Sequence, residues 1–257
     1  MSQYKSLRLF KDKISFLIDK KAAAIFLGML VTAFAVFVIS TGLGDMDISP
    51  ISVLAVFFGG GSDMERLVVQ SFRLPRIIVA LMVGISLAVA GGLLQGMIRN
   101  PLASPDILGI TGGASVAVVG FLAIFSDDNN ALTVSIEWMP VAAFAGAAIV
   151  AFLVYFLSWK NGVSPVRLVL IGIGISAMMQ ALTKLMMIMG PIYRASQANI
   201  WITGTVYGST WANVAVLVPW TIIMLLIAFI FARNVNVQEL GEDIATGVGG
   251  HVQRQRF

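Results

Sequence analysis

Residues 77–97 read IIVALMVGISLAVAGGLLQGM, twenty-one positions without a single charge. At 1.5 Å per residue a helix of this length reaches about 30 Å, the thickness of a bilayer's hydrocarbon layer. Lipid offers backbone N–H and C=O groups no partner but each other, so the expected state is helix. A membrane barrel would show short alternating segments instead. Working outward, comparable apolar runs occupy 22–40, 107–125, 139–158, 166–188 and 214–232. The pattern predicts an all-α membrane protein, six transmembrane helices in a single domain covering 1–257.

Composition agrees. The chain is 58% hydrophobic and 12% charged, about half the charge of an ordinary soluble domain. It has no cysteine, which excludes disulfides and thiol-based metal or redox chemistry. Lys5, Arg8, Lys11, Lys13, Lys20 and Lys21 precede the first run. That run is too long for a signal-peptide core and no convincing cleavage site follows it, so 1–21 reads as a retained basic segment. With the N-terminus in the cytoplasm, the inner side holds these six cations plus Arg99, Lys160, Arg167, Arg233, Arg254 and Arg256. The outer side holds only Arg66, Arg73, Arg76 and Arg194. Positive residues favour the cytoplasm, so the count supports both ends inside. The net charge of +4 therefore speaks of the membrane and not of nucleic acid.

The spans hold no Asp, Glu, His or Cys in their cores. Proton-coupled transporters carry intramembrane acids or histidines, and membrane hydrolases need a nucleophile with its base or a metal. The sole histidine, His251, lies outside every span, so no metal site is expected. The run Gly59-Gly60-Gly61-Ser62 lacks the lysine of a phosphate-binding loop. The chain is expected not to be an enzyme, and active transport would draw its energy from another chain. Several features have two readings. Lys184, four positions after Gln180, is a pathway residue or a side chain reaching for the interface. The pairs Gly92/Gly96 and Gly172/Ser176 serve helix packing or line a path. Ser104-Pro105-Asp106 predicts a helix start. Arg73 and Arg76 bracket Pro75 on the outer face, where arginine suits either carboxylate recognition or headgroup anchoring.

The stretch RLPR at 73–76, followed by AGGLLQGMIRNPLASPDILGITGGAS at 90–115, resembles the FecCD-type permeases of iron–siderophore and cobalamin ABC importers. The match runs through Gln95, Arg99, Asn100, Pro101, Leu102, Ala103, Pro105, Gly109, Gly113 and Ala114. A second block, Trp201-Ile202-Thr203-Gly204-Thr205 with Trp211, resembles the family's segment before the sixth span. Its Tyr207-Gly208 continuation is similar to siderophore members. A third, Leu240-Gly241-Glu242 with Ala245 and Gly249, resembles the cytoplasmic coupling segment, here 236–250.

The resemblance implies the first part of a ten-helix type II ABC importer permease in the bacterial cytoplasmic membrane. This chain would bind no cofactor of its own. It would work with an ATPase subunit that uses ATP, a second permease subunit (identical or paralogous) and an external siderophore-binding protein. Arg73 and Arg76 would dock that binding protein's acidic residues. Leu240, Gly241, Glu242, Ala245 and Gly249 would contact the ATPase, although the segment reads equally as an interfacial helix. Ser164 and Pro165 would belong to a cytoplasmic gate, although the turn 162–165 reads equally as a tight connection. About four C-terminal helices are expected to be missing relative to the family. The implied cargo is an iron(III)–siderophore complex, with cobalamin or haem as alternatives. A secondary transporter or channel, and an inactive truncated permease, are the rival readings.

Overall fold

The computed structural model describes residues 4–9, 14–127, 131–160, 162, 164–190 and 192–239. Strands β1 (Tyr4–Leu9) and β2 (Ile14–Asp19) pair antiparallel, and β2 runs into helix α1 (Lys20–Gly42) without a linker. Then come α2 (Pro50–Phe57), α3 (Asp63–Leu67), a π-helical turn (Val68–Arg73), α4 (Leu74–Ile98) and α5 (Ile110–Ile124). They are followed by α6 (Met139–Ser158), α7 (Pro165–Met189), α8 (Ile192–Thr203) and α9 (Trp211–Glu239). The all-helical expectation holds for the membrane part. The basic segment 1–21 differs from it by carrying the two-stranded ribbon.

Among the described residues five stretches are long and apolar enough to cross a membrane: Lys20–Gly42, Asp63–Ile98, Ile136–Ser158, Pro165–Met189 and Trp211–Ala232. The expected span at 107–125 is a shorter helix of 15 residues. In α1 only 6% of the apolar window is buried within this chain, which a lipid surrounding permits. A helix apolar all round suits that solvent.

The chain divides into two compact units, residues 1–81 with 206–216, and 82–205 with 217–257. The first has a small core of Val38, Ile48, Val53, Val56 and Val69, which packs the end of α1 against α2 and the π turn. Ser49 caps α2, and Pro50 opens it. Ser62 and Glu65 form a reciprocal capping box at α3, each satisfying a backbone donor that the helix start leaves open.

In the second unit α5 packs against α6 and α7. Small residues set how closely. A Cβ on Gly113 would lie 2.6 Å from the Gly146 carbonyl oxygen, and one on Gly146 would lie 2.5 Å from Ala117 Cβ. Backbone meets backbone there, the usual means of binding helices that gain nothing hydrophobic from each other in lipid. The Gly172/Ser176 pair on α7 likewise packs, with Gly172 against Leu108 and Ser176 against Gly109. Gly92 on α4 has open space beside it. Thr221 of α9 is buried and pairs with Ser86 of α4 at 3.3 Å. Ser86 donates its own proton to the Met82 carbonyl, which leaves Thr221 as the donor of the pair.

The expected helix start at Ser104-Pro105-Asp106 is corrected. These residues form turns, and α5 begins at Ile110 after Gly109. Gly109 has φ +77, and a Cβ there would sit 2.8 Å from the backbone of Ser176. Both facts exclude a side chain. Gly109→Ala should destabilise the protein by about 1–3 kcal/mol, read as a lower melting temperature in detergent.

Candidate functional site on the outer face

The matched signature between α4 and α5 is a self-capped connector. Arg99 adopts φ +57 just past the end of α4, and the Asn100 amide returns to the Gln95 carbonyl at 3.2 Å. This is the left-handed stop that ends many helices. The Gln95 Nε2 donates to the Pro101 carbonyl at 2.9 Å, and Asn100 Oδ1 accepts from the Leu102 amide at 2.9 Å. Ala103 and Leu108 are buried in the core of the second unit, whereas Leu102 is exposed. Asp106, outside the expected set, ties the far end: its carboxylate accepts from Thr111 at 2.8 Å and its carbonyl from Ser176 at 3.2 Å. The structure thus brings Gln95, Arg99, Asn100, Pro101, Ala103, Pro105 and Gly109 into one backbone device.

At the other loop, Ser164 precedes α7, Pro165 is its first residue, and the Ser164 carbonyl accepts from Leu168 at 2.9 Å. Arg167 donates to the carbonyls of Ser158 and Lys160 at 3.1 and 3.3 Å, capping the end of α6. The positions Leu240, Gly241, Glu242, Ala245 and Gly249, and His251, lie outside the described residues. Lys184 and Gln180 are exposed on α7, and Gln180 donates to Ser176 at 3.3 Å. Among the described residues no group of three His, Cys, Asp or Glu side chains is placed to hold a metal ion.

The outer arginines divide by what they already bond. Arg66 donates to the carbonyls of Gly59 and Gly60 and closes its own loop. Arg73, half-buried, gives Nη1 to the carbonyls of Thr41 at 3.0 Å and Gly42 at 2.7 Å, and Nη2 to that of Met46. These acceptors lie at and beyond the end of α1, where the helix leaves carbonyls without intrahelical donors and its dipole favours a cation; that of Gly42 also accepts from the Ile48 amide at 2.9 Å. Gly44 packs so tightly on this guanidinium that a Cβ would come 2.7 Å from Nη2. Arg76 differs. It is exposed, forms no ion pair among the described residues, and holds its guanidinium carbon 5.5 Å from the Tyr207 ring centroid. An open cavity of about 600 Å³ lies alongside, lined by Asp45, Met46, Phe72 and both arginines.

The π turn prepares this arrangement. The π turn lies immediately before Pro75, second in α4; its bonding reaches five residues back, the Leu74 amide to the Val69 carbonyl, and Pro75 has no N–H to continue it to the Gln70 carbonyl. The freed Gln70 carbonyl accepts from Trp211 Nε1 at 2.9 Å. Two sequence blocks 131 and 141 residues apart are therefore joined, Arg76 to Tyr207 and Gln70 to Trp211. All four residues belong to the first unit. The contact also bears on topology. The loops at 70–76 and 207–211 share one side of the membrane, so an even number of crossings separates them. The helices between are α4, α5, α6, α7 and α8; α8 is not among the apolar ones, so the count is even only when the short apolar α5 crosses with α4, α6 and α7.

The profile of the FecCD transport family matches residues 30–257. The chain is 55% identical over 239 residues to a Bacillus subtilis protein named "Probable siderophore transport system permease protein YfhA", covering 93% of this chain and 70% of that one. It is 43% identical over 222 residues to the iron(3+)-hydroxamate import system permease protein FhuG of the same species, covering 86% of this chain and 66% of that one. Against the achromobactin transport system permease protein CbrC of Dickeya dadantii the identity is 44% over 224 residues, covering 87% and 63%. The chain thus spans about two-thirds of the length of these curated relatives. A solved structure described as "An inward-facing conformation of a putative metal-chelate type ABC transporter" superposes with a TM-score of 0.77 at 25% identity, over 91% of this chain and 70% of that one.

Proposed function

The chain belongs to the FecCD transport family, and from that premise we propose that it is the permease part of an ATP-driven importer of iron(III)–siderophore complexes. It is a multi-pass protein of the bacterial cytoplasmic membrane. The observation that carries the reading is its 55% identity, along 93% of its length, to a permease named for siderophore transport. The spans support it by what they contain. Small and apolar side chains line them, without the acids or histidines that a proton relay requires. An external source of energy then fits, with a separate ATPase subunit supplying it and a second permease subunit completing the path.

Ligand selection belongs to an external binding protein, and Arg76 is the cation presented to it. Arg73 works behind it, by holding the end of α1 and the 43–48 loop in place. The segment 236–250 contacts the ATPase, and Ser164-Pro165 form part of the inner gate. ATP-driven rearrangement would swing these elements as rigid pieces and switch access across the membrane.

The test is uptake of labelled ferric siderophores into cells that lack the gene but hold the partner proteins. Restored uptake that stops when ATP is depleted, with cobalamin and haem excluded, is the expected result. Uptake that persists on the proton gradient alone would remove the importer reading.

A further inference from the structure

Helix α2 has two apolar faces. Val53 and Val56 form one, buried in the core of the first unit. Opposite them, Ile51, Leu54 and Phe58 recur at i, i+3 and i+7, the last at the helix C-cap, and so share a face. That face is open among the described residues, with Ile51 80% and Phe58 90% exposed. From Ile48 to Ser62 the sequence has no charged residue, and its polar side chains are serines alone. A helix apolar all round does not belong in water. We propose that α2 lies in the outer leaflet of the bilayer, with Ile51, Leu54 and Phe58 among phospholipid acyl chains.

Depth names the occupant. Phe57 at the end of α2 stacks on Phe37 of α1, ring centroids 6.3 Å apart. Exposed Lys20 and Lys21 open α1 and mark its inner boundary. At 1.5 Å per residue Phe37 lies about 24 Å from Lys21, short of the roughly 30 Å of hydrocarbon. Any tilt of α1 sets Phe37 deeper. The chain therefore turns back after Gly42 and seats α2 beside the last turns of a membrane-crossing helix, and its open face continues that helix's membrane surface. A segment at this depth must satisfy its own backbone. Ser49 Oγ accepts from the Ser52 amide at 3.1 Å, and the Gly60 amide donates to the Ala55 carbonyl at 2.7 Å. Arg66 takes the Gly59 and Gly60 carbonyls beyond. A protein-docking patch in water carries a polar rim, whereas Ser52 is the one polar side chain on α2.

The chain has no native cysteine, so single labels are clean. A nitroxide is attached to Ile51→Cys, Leu54→Cys and Phe58→Cys variants of the whole chain. Asp47→Cys and Asp63→Cys, at exposed positions on either side of the segment, serve as references in water. Each variant is placed in phosphatidylcholine nanodiscs. Collision of the label with oxygen, which concentrates in lipid, is compared with collision with a water-soluble nickel chelate. For immersion of about 5–10 Å the oxygen-to-chelate ratio should be about tenfold higher at 51, 54 and 58 than at 47 and 63. Ratios equal to the references would place the face in water and overturn the proposal. Low collision with both reagents would overturn it too, by showing that protein, a second copy or another segment, covers the face. Circular dichroism confirms that each variant keeps its helices, and three sites on one face guard against a single disturbed label.

Discussion

Arg76→Ala lowers the affinity of the external binding protein by about 30-fold, some 2 kcal/mol at 1.4 kcal/mol per tenfold, and leaves the melting temperature unchanged. The two halves of this result have separate causes. Arg76 is exposed and, among the described residues, bonds nothing beyond its approach to the Tyr207 ring, so its removal leaves no buried group among them unsatisfied. A docked acidic partner would be stranded instead, and most of the cost of breaking a desolvated charge pair is the stranded charge. Arg76→Lys keeps the charge but loses the planar fork that grips a carboxylate, so its effect falls between. Tyr207→Ala removes a contact worth about 0.5–1 kcal/mol at an exposed site and should cost correspondingly less. Titration of the purified binding protein by calorimetry or surface capture reads all three. Wild-type affinity in Arg76→Ala would leave the outer cluster without its assigned partner.

The apolar runs carried most of the fold because lipid imposes a length that composition reports directly. The run at 139–158 became α6 at Met139–Ser158, and that at 166–188 became α7 at Pro165–Met189. The start of α5 was displaced from 107 to 110 by two residues that act locally. Pro105 sits in a turn, and left-handed Gly109 has to come first, because α5 can pass Ser176 only without a side chain there. The ribbon was hidden for another reason. Its alternation lasts six residues per strand and is interrupted by cations that read more readily as a solvated tail.

The site was legible only in part. The blocks around Arg76 and Tyr207 each stood out in the sequence, but nothing in either announced that they meet. The distinction between Arg73 and Arg76 was invisible, since both bracket one proline and differ only in partners. Those of Arg73 are backbone carbonyls 31 and 32 positions upstream, at Gly42 and Thr41, with Met46 beyond. A carbonyl has no sequence signature. The usable signal was Pro75, which cannot complete the ladder and so marks the widened turn that sets the two arginines on different tasks.

That division leads to the opposite expectation for Arg73→Ala, a loss of stability of about 2–4 kcal/mol with any loss of docking following from it. A hydrogen bond to a charged group contributes about 1.5–3 kcal/mol, and Arg73 makes three. The sum is an upper limit, because the site is half-exposed and water re-satisfies some of the carbonyls. The dipole at the end of α1 loses its cation as well. Lysine does not substitute, since one ammonium cannot meet three carbonyls in the geometry that the guanidinium fork holds, so Arg73→Lys should recover less than half of the loss. Thermal melts in detergent, together with protease sensitivity of the 43–48 loop, measure the effect. If Arg73→Ala melts with the wild type and still loses the binding protein, Arg73 is a docking residue like Arg76. If it melts early and the loop opens, the arginine pair is one contact and one brace.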